Sequence, residues 1–342
     1  MSRSLCVVGA GAAGLGAAYA LRDANVDVTI LEKSRGVGGR AATRRRNGCT
    51  YDHGANYLKD DDERVAALVE SLDSTGLVDI PEPVWTFDAT GAIREGDREG
   101  RKWTWEAGIT QLGERLLART DATVEHGTRV EAVDRDERGW RVAAADGTTH
   151  GPFDGLLLTP PAPQTASLLA STGWSSERAV MLREAVGGVT YRSVLSVVLH
   201  YEEALDRPWY ALVDTSKEHP LGWVGREECK AGHVPGGESL LVVQMGHEWS
   251  RERFDDPLEA VASEAARLVA DLLDEDRLHD PAWVDDQRWR YALPERGAPA
   301  DVLTAGRDDG LFFAGDWVAD EGRVHAALRS GLETGEAIRE EL

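Results

Sequence analysis

The run Leu5-Cys-Val-Val-Gly9-Ala-Gly11-Ala-Ala-Gly14-Leu-Gly-Ala-Ala-Tyr-Ala-Leu21 constrains this chain more than any other feature. It reads as a buried strand, a tight turn and a helix of small residues. The spacing G-x-G-x-x-G falls on Gly9, Gly11 and Gly14. Gly9 permits the turn, Gly11 lets backbone approach a pyrophosphate, and Gly14 lets the helix pack closely on the strand. The amides at the helix start, from Ala12 and Ala13 onward, hold the phosphates. A second strand over 26–31 ends in Glu32, 18 residues after Gly14. That is near the spacing of a carboxylate that binds a ribose hydroxyl pair. The acid favours an adenosine with a free 2′-hydroxyl, so NAD or FAD rather than NADP. Lys33, next to it, is counted with the cofactor-binding residues.

A second glycine pair follows at Gly38 and Gly39, then Arg40. A nicotinamide dehydrogenase usually needs only the first loop. FAD is larger, and a second glycine pair lets more backbone approach beyond the pyrophosphate, with the Arg40 guanidinium placed on the phosphates. The stretch Tyr51-Asp-His-Gly54-Ala55-Asn56-Tyr57 combines small residues with an aromatic and polar groups. Near the C-terminus Leu311-Phe-Phe-Ala-Gly315-Asp316 reads as a buried strand ending in Gly-Asp, whose carboxylate suits a ribityl hydroxyl. A small-residue helix then starts around Arg323, Val324 and Ala327, its first amides facing the flavin's pyrimidine end.

Taken together, these segments resemble the flavin amine oxidase superfamily, which includes monoamine and polyamine oxidases and phytoene desaturases. Within it, KSRGVGGR, DHGANY, GPFDGLLLTPPAPQ, RWRYALP and GDWVADEGRVHAALRSG are most similar to renalase and its bacterial relatives. The resemblance implies a Rossmann-like FAD-binding domain of α/β class, assembled from 1–75, 120–165 and 301–342. The pieces 76–119 and 166–300 would form a substrate-binding domain of mixed β-sheet plus helices. It places Val130 where backbone meets adenine, and Thr159 among the cofactor contacts at the proline break after 156–158. Strands are expected over 194–201 and 239–245 and a helix over 257–274. The run Arg44-Arg45-Arg46 reads as a solvated loop held by surface pairing.

In this family flavin supplies the hard chemistry and the protein orients the donor. A dihydropyridine donor needs no general base; an amine arrives neutral and is often met by an aromatic cage. Both readings call for aromatic walls, and the chain has 11 tryptophans. Pocket candidates are Tyr57, Trp105, Tyr191, Trp289 and Tyr291, joined by Gln244 and His247. Renalases tend to carry a histidine at the position of Gln244. Amine oxidases commonly hold a water near the flavin with a lysine. None of Lys33, Lys59, Lys102, Lys217 and Lys230 falls in a segment matching that role. The leading expectation is therefore a renalase-like oxidase of dihydro-isomers of NAD(P)H, with O2 as acceptor. Alternatives are an amine or polyamine oxidase, a carotenoid-type desaturase and a non-catalytic flavoprotein. No cysteine lies near Gly315-Asp316-Trp317 or the closing helix, so the FAD is expected to be non-covalent.

Sixty acidic residues against 38 Lys plus Arg give the 342-residue chain a net charge of −22. Such a surface repels nucleic acid and anionic membranes, and its spread along the chain reads as adaptation to high salt. Three cysteines make no metal spacing and no disulfide framework. With no stretch long enough to span a membrane, the expected setting is the cytoplasm, with no metal and an oligomeric state left open.

Overall fold

The computed structural model describes residues 2–96, 100–174 and 176–342. Leu5, Cys6, Val7 and Val8 are all buried, as a strand covered on both faces must be. This strand, Arg3–Val8, is the centre of a five-stranded sheet. In spatial order the sheet runs Thr123–His126, Val26–Glu32, Arg3–Val8, Gly155–Leu158 and Leu311–Phe313, every pair parallel. Alternation sorts the two faces. Leu5, Val7 and Ile30 join one core, and Cys6, Val8 and Leu31 join another.

The first face is covered by the helices Ala12–Ala20 and Val324–Glu341. Glycine allows their close contact: a Cβ on Gly331 would lie 2.1 Å from the Ala13 carbonyl oxygen. The second face carries an antiparallel sheet of Val130–Asp136, Gly139–Ala144 and Thr149–Phe153, with Trp140 fully buried. Trp103, Trp105, Ile109, Leu112 and Leu116, expected in the substrate-binding part, are buried in the first core instead. The helix Gln111–Leu117 packs on Ala12–Ala20, and its Gly113 faces the Gly38 backbone.

The second large unit is a seven-stranded sheet. Its order is Trp283–Pro294, Tyr191–Tyr201, Ser239–Met245, Leu221–Arg226, Ala211–Asp214, Val84–Phe87 and Ile93–Arg94. One face packs Leu195, Val197, Leu199, Leu241 and Val243 against Val261, Ala265 and Val269 of the helix Leu258–Leu273. The other face carries Ser196, Val198, Gln244, Val242 and Trp289 and turns toward the strand Cys49–Asp52 and the residues after it. The run Arg44–Arg46 is not a solvated loop. It belongs to a hairpin strand, where Arg44 binds Asp285 and Gln287, and Arg46 donates to the Val284 carbonyl. The surplus donors of Arg44 and Arg46 find acceptors on the neighbouring sheet edge, and Arg45 donates to the Ala107 carbonyl.

Candidate functional site

The glycine turn has the form its spacing implies. Gly9 has φ +100°, and a Cβ on Gly14 would lie 2.1 Å from the Gly9 oxygen. Gly11 and Gly38 form a parallel bridge, and the Gly38 amide donates to the Ala10 carbonyl at 2.8 Å. The two glycine turns thus face each other with no side chain between them. The helix Ala12–Ala20 starts at Gly11 without a side-chain cap, and so does Val324–Glu341 at Arg323. Both helix starts therefore offer amides and positive dipole ends to a ligand.

Glu32 is buried, and its two oxygens accept the amides of Ala10 and Ser34, each at 2.7 Å. Four acceptor sites on a carboxylate leave room for ribose hydroxyls. Thr159 ties the loop down by donating to the Val8 carbonyl at 2.7 Å. Val130 begins the antiparallel sheet, and Lys33 is exposed. This cradle fits a dinucleotide cofactor.

Arg40 and Asp316 meet each other. Two bonds of 2.8 Å make a bidentate pair, and Arg40 also donates to the Ala292 carbonyl at 2.9 Å. Asp316 is 3 % exposed, and a charge so deeply buried needs its counter-ion. The guanidinium keeps N–H groups beyond these bonds for an anion. Gly315, with φ +151°, places its amide on the Ser330 hydroxyl. Tyr191 and Tyr291 stand edge to face nearby, with centroids 5.7 Å apart. Burial raises the Tyr191 phenol above its usual range, and the Asp316 charge adds to the effect.

The stretch after Asp52 is gripped from both sides. The Ala55 amide donates to the Arg40 carbonyl at 2.9 Å. Gln244 Nε2 donates to the Gly54 carbonyl at 2.7 Å, and Trp289 Nε1 to the His53 carbonyl at 3.0 Å. Trp289 also stacks on the His53 ring, with centroids 5.7 Å apart. Tyr57, Tyr210 and Trp223 form a trio with centroids 5.9–6.0 Å apart. Two candidates lie apart from these walls. Trp105 is buried in the first core, 1 % exposed. His247 Nδ1 accepts the Ser193 amide at 2.9 Å, which makes it a strut at a helix start.

Beneath the trio lies a charged group that the sequence alone did not disclose. Lys230 Nζ sits 2.9 Å from Asp52 and 2.7 Å from Glu227, and His233 Nδ1 is 3.0 Å from Glu227, all fully buried. Burial alone would raise the Asp52 carboxyl. Lys230, His233 and bonds from Ile109 and Thr43 hold it below the usual range. The only hint was the repeated three-residue spacing of Glu227, Lys230 and His233. A further group, Cys49, His200 and Glu238, brings three ligand-type atoms within 4.8 Å of one another.

A family model for flavin containing amine oxidoreductase matches residues 89–339, and one for an NAD(P)-binding Rossmann-like domain matches 7–72. The chain belongs to the flavin-containing amine oxidoreductase family. It is a flavin-dependent oxidoreductase with the two-domain fold of that family. Among curated relatives, protoporphyrinogen oxidase 2 of Arabidopsis thaliana is 37% identical over 70 residues, 20% of this chain and 14% of that protein. Polyamine oxidase 4 of Oryza sativa is 46% identical over 55 residues, 16% of this chain and 11% of its own length. Among solved structures, an Exiguobacterium sp. 255-15 protein with a provisional protoporphyrinogen oxidase assignment superposes at a TM-score of 0.77. It is 17% identical, with 100% of both chains covered. A putrescine oxidase bound to putrescine follows at 0.72 and 17% identity, with 99% of both chains covered. At these identities the structural likeness is one of fold. Among the described residues no helix is long and apolar enough to cross a membrane.

Proposed function

We propose that this chain is a renalase-like oxidase that holds FAD non-covalently and oxidises dihydro-isomers of NAD(P)H, with O2 as electron acceptor. The balanced reaction consumes the dihydropyridine, O2 and one proton, and yields NAD(P)+ and H2O2. The flavin supplies the hydride-accepting centre when bound. This chain's residues would hold its phosphates at Gly11–Gly14, its ribose at Glu32 and its ribityl region near Asp316.

The observation that carries the reading is the state of the ionisable groups beside the aromatic walls. Burial pushes His53 down to about 4, so it is a poor base at neutral pH. Lys230 is held by two carboxylates. A donor whose own ring nitrogen drives hydride transfer suits such a site, because nothing need remove a proton first. The second reading, oxidation of a small amine or polyamine, draws on the polyamine oxidase match and the aromatic trio. It lacks a free lysine among the residues gathered at these walls.

The test is anaerobic mixing of the yellow protein with the 2- and 6-dihydro isomers of NADH, with ordinary NADH and with putrescine. Rapid bleaching of the flavin by an isomer, and not by ordinary NADH or putrescine, is the expected result. A flavin left oxidised by both isomers would overturn the proposal, and bleaching by putrescine would install the second reading.

A further inference from the structure

The backbone from Thr50 to Asn56 is where the Rossmann-like part meets the seven-stranded sheet, and its two edges are satisfied differently. On one edge the amides of His53 and Ala55 donate to the carbonyls of Ala42 and Arg40, at 3.1 and 2.9 Å. On the other edge no strand among the described residues pairs with it: the Thr50 amide donates to the His233 carbonyl at 2.7 Å and the Asp52 amide to Glu227 at 3.0 Å. Past Asp52, side chains serve the next two carbonyls: Trp289 donates to that of His53 at 3.0 Å and Gln244 to that of Gly54 at 2.7 Å. Gly54 is confined between Arg40 and Trp289. A Cβ there would lie 2.0 Å from the Arg40 oxygen and 3.1 Å from Trp289 Cζ2.

Gln244 has a rigid mount. Its strand is paired on both sides, with Ser196 opposite it in one neighbour and Trp223 in the other. From its amide a continuous series of contacts reaches the cofactor cradle. Gly54 leads to Ala55, Ala55 to the Arg40 carbonyl, and Arg40 to Gly39, whose Cα faces Gly11. A buried carbonyl left without its donor would cost as much as a lost hydrogen bond. The segment would then move toward another donor and take the Arg40 turn with it.

We propose that Gln244 is a positioning residue for the flavin site: its carboxamide fixes the Gly54 carbonyl and, through Ala55, the turn at Gly38–Arg40. This differs from the pocket-lining role for which the sequence made Gln244 a candidate. A side chain whose donor is spent on backbone shapes the cofactor's surroundings whichever reductant is used. The inference therefore rests on the flavin and not on the donor's identity.

The experiment compares the FAD-loaded protein with Q244A, Q244M and Q244H. Three quantities are read: the FAD dissociation constant from flavin fluorescence, the fine structure of the visible flavin band, and the thermal midpoint. Losing one buried hydrogen bond should weaken FAD about tenfold in Q244A and Q244M and blur the band. The imidazole N–H of Q244H should bring both back to within about threefold of the parent. Q244M keeps the length of the side chain without its donor, so it carries the test if Q244A fails to fold. FAD affinity and band shape unchanged in Q244A and Q244M would overturn the proposal. So would a fall in thermal midpoint alone, or the absence of any recovery in Q244H.

Discussion

His53 lies between Asp52 and Gly54 with its ring stacked on Trp289 and its Nδ1 buried without a hydrogen-bond partner among the described residues. Burial is the main reason its pKa falls to about 4, and the nearby Arg44 charge lowers it further. In the unfolded chain the same ring titrates near its ordinary value of about 6.5. Above that pH both states hold neutral imidazole, and the group is silent. Between about 6.5 and 4 the unfolded chain binds a proton that the folded one refuses, so stability falls as pH drops. Below the folded pKa both states are protonated and the loss levels off. The full penalty is about 3 kcal/mol from the size of the shift. His53→Phe keeps an aromatic ring on Trp289 and removes the titration. Urea unfolding from pH 7 to 4 should show the variant gaining on the parent by that amount. A parent-minus-variant difference that stays constant over the range would contradict the buried neutral imidazole.

At the scale of elements, the turn Glu227–His233 acts as one ionic unit against the strand end at Asp52. His233 Nε2 faces the Trp105 carbonyl at 2.9 Å, an oxygen that can only accept, so this nitrogen carries a proton. His233 Nδ1 lies 3.0 Å from Glu227, and the Lys230 ammonium bridges Glu227 and Asp52. Lys230→Met removes the ammonium and leaves two buried carboxylates facing one imidazole. The expected loss is about 3–5 kcal/mol, as for breaking other buried pairs, read from the denaturant midpoint. A loss below about 1 kcal/mol, the size of an exposed pair, would mean that water reaches the group.

The same elements show what a sequence discloses. Gly9 and Gly14 were legible because their constraint is local: one needs a positive φ and the other must clear its own turn. The β-forming character of 194–201 and 239–245 anticipated the strands Tyr191–Tyr201 and Ser239–Met245, and helical periodicity over 257–274 anticipated the helix Leu258–Leu273. Gln244 on Gly54, Lys230 on Asp52 and Arg40 on Asp316 join residues 190, 178 and 276 positions apart. Nothing in their local sequence encodes those partners. Trp105 was misjudged for a related reason: composition marks an aromatic as large and apolar but not which of two cores it fills.

The whole molecule carries −22. Its ion pairs are mostly exposed arginine–carboxylate contacts, such as Arg64–Glu336 and Arg267–Asp271. Pairs of that kind are each worth about 0.2–1 kcal/mol. Added salt acts on two opposed quantities. It weakens those pairs, and it screens the repulsion among carboxylates that have no partner. The second should win, because 60 acidic residues face only 38 Lys plus Arg. At 1 M salt the Debye length is about 3 Å against about 10 Å at 0.1 M, short enough to silence repulsion between neighbouring surface carboxylates. The buried Asp52–Lys230 and Arg40–Asp316 pairs are screened much less and should persist. The urea midpoint should therefore rise steadily from 0.1 to 1 M NaCl and further at higher concentration. The parent and Lys230→Met should rise in parallel, since the buried quartet is insulated from the salt. A midpoint that is flat or falls with salt would show that surface pairing, not excess charge, sets the balance.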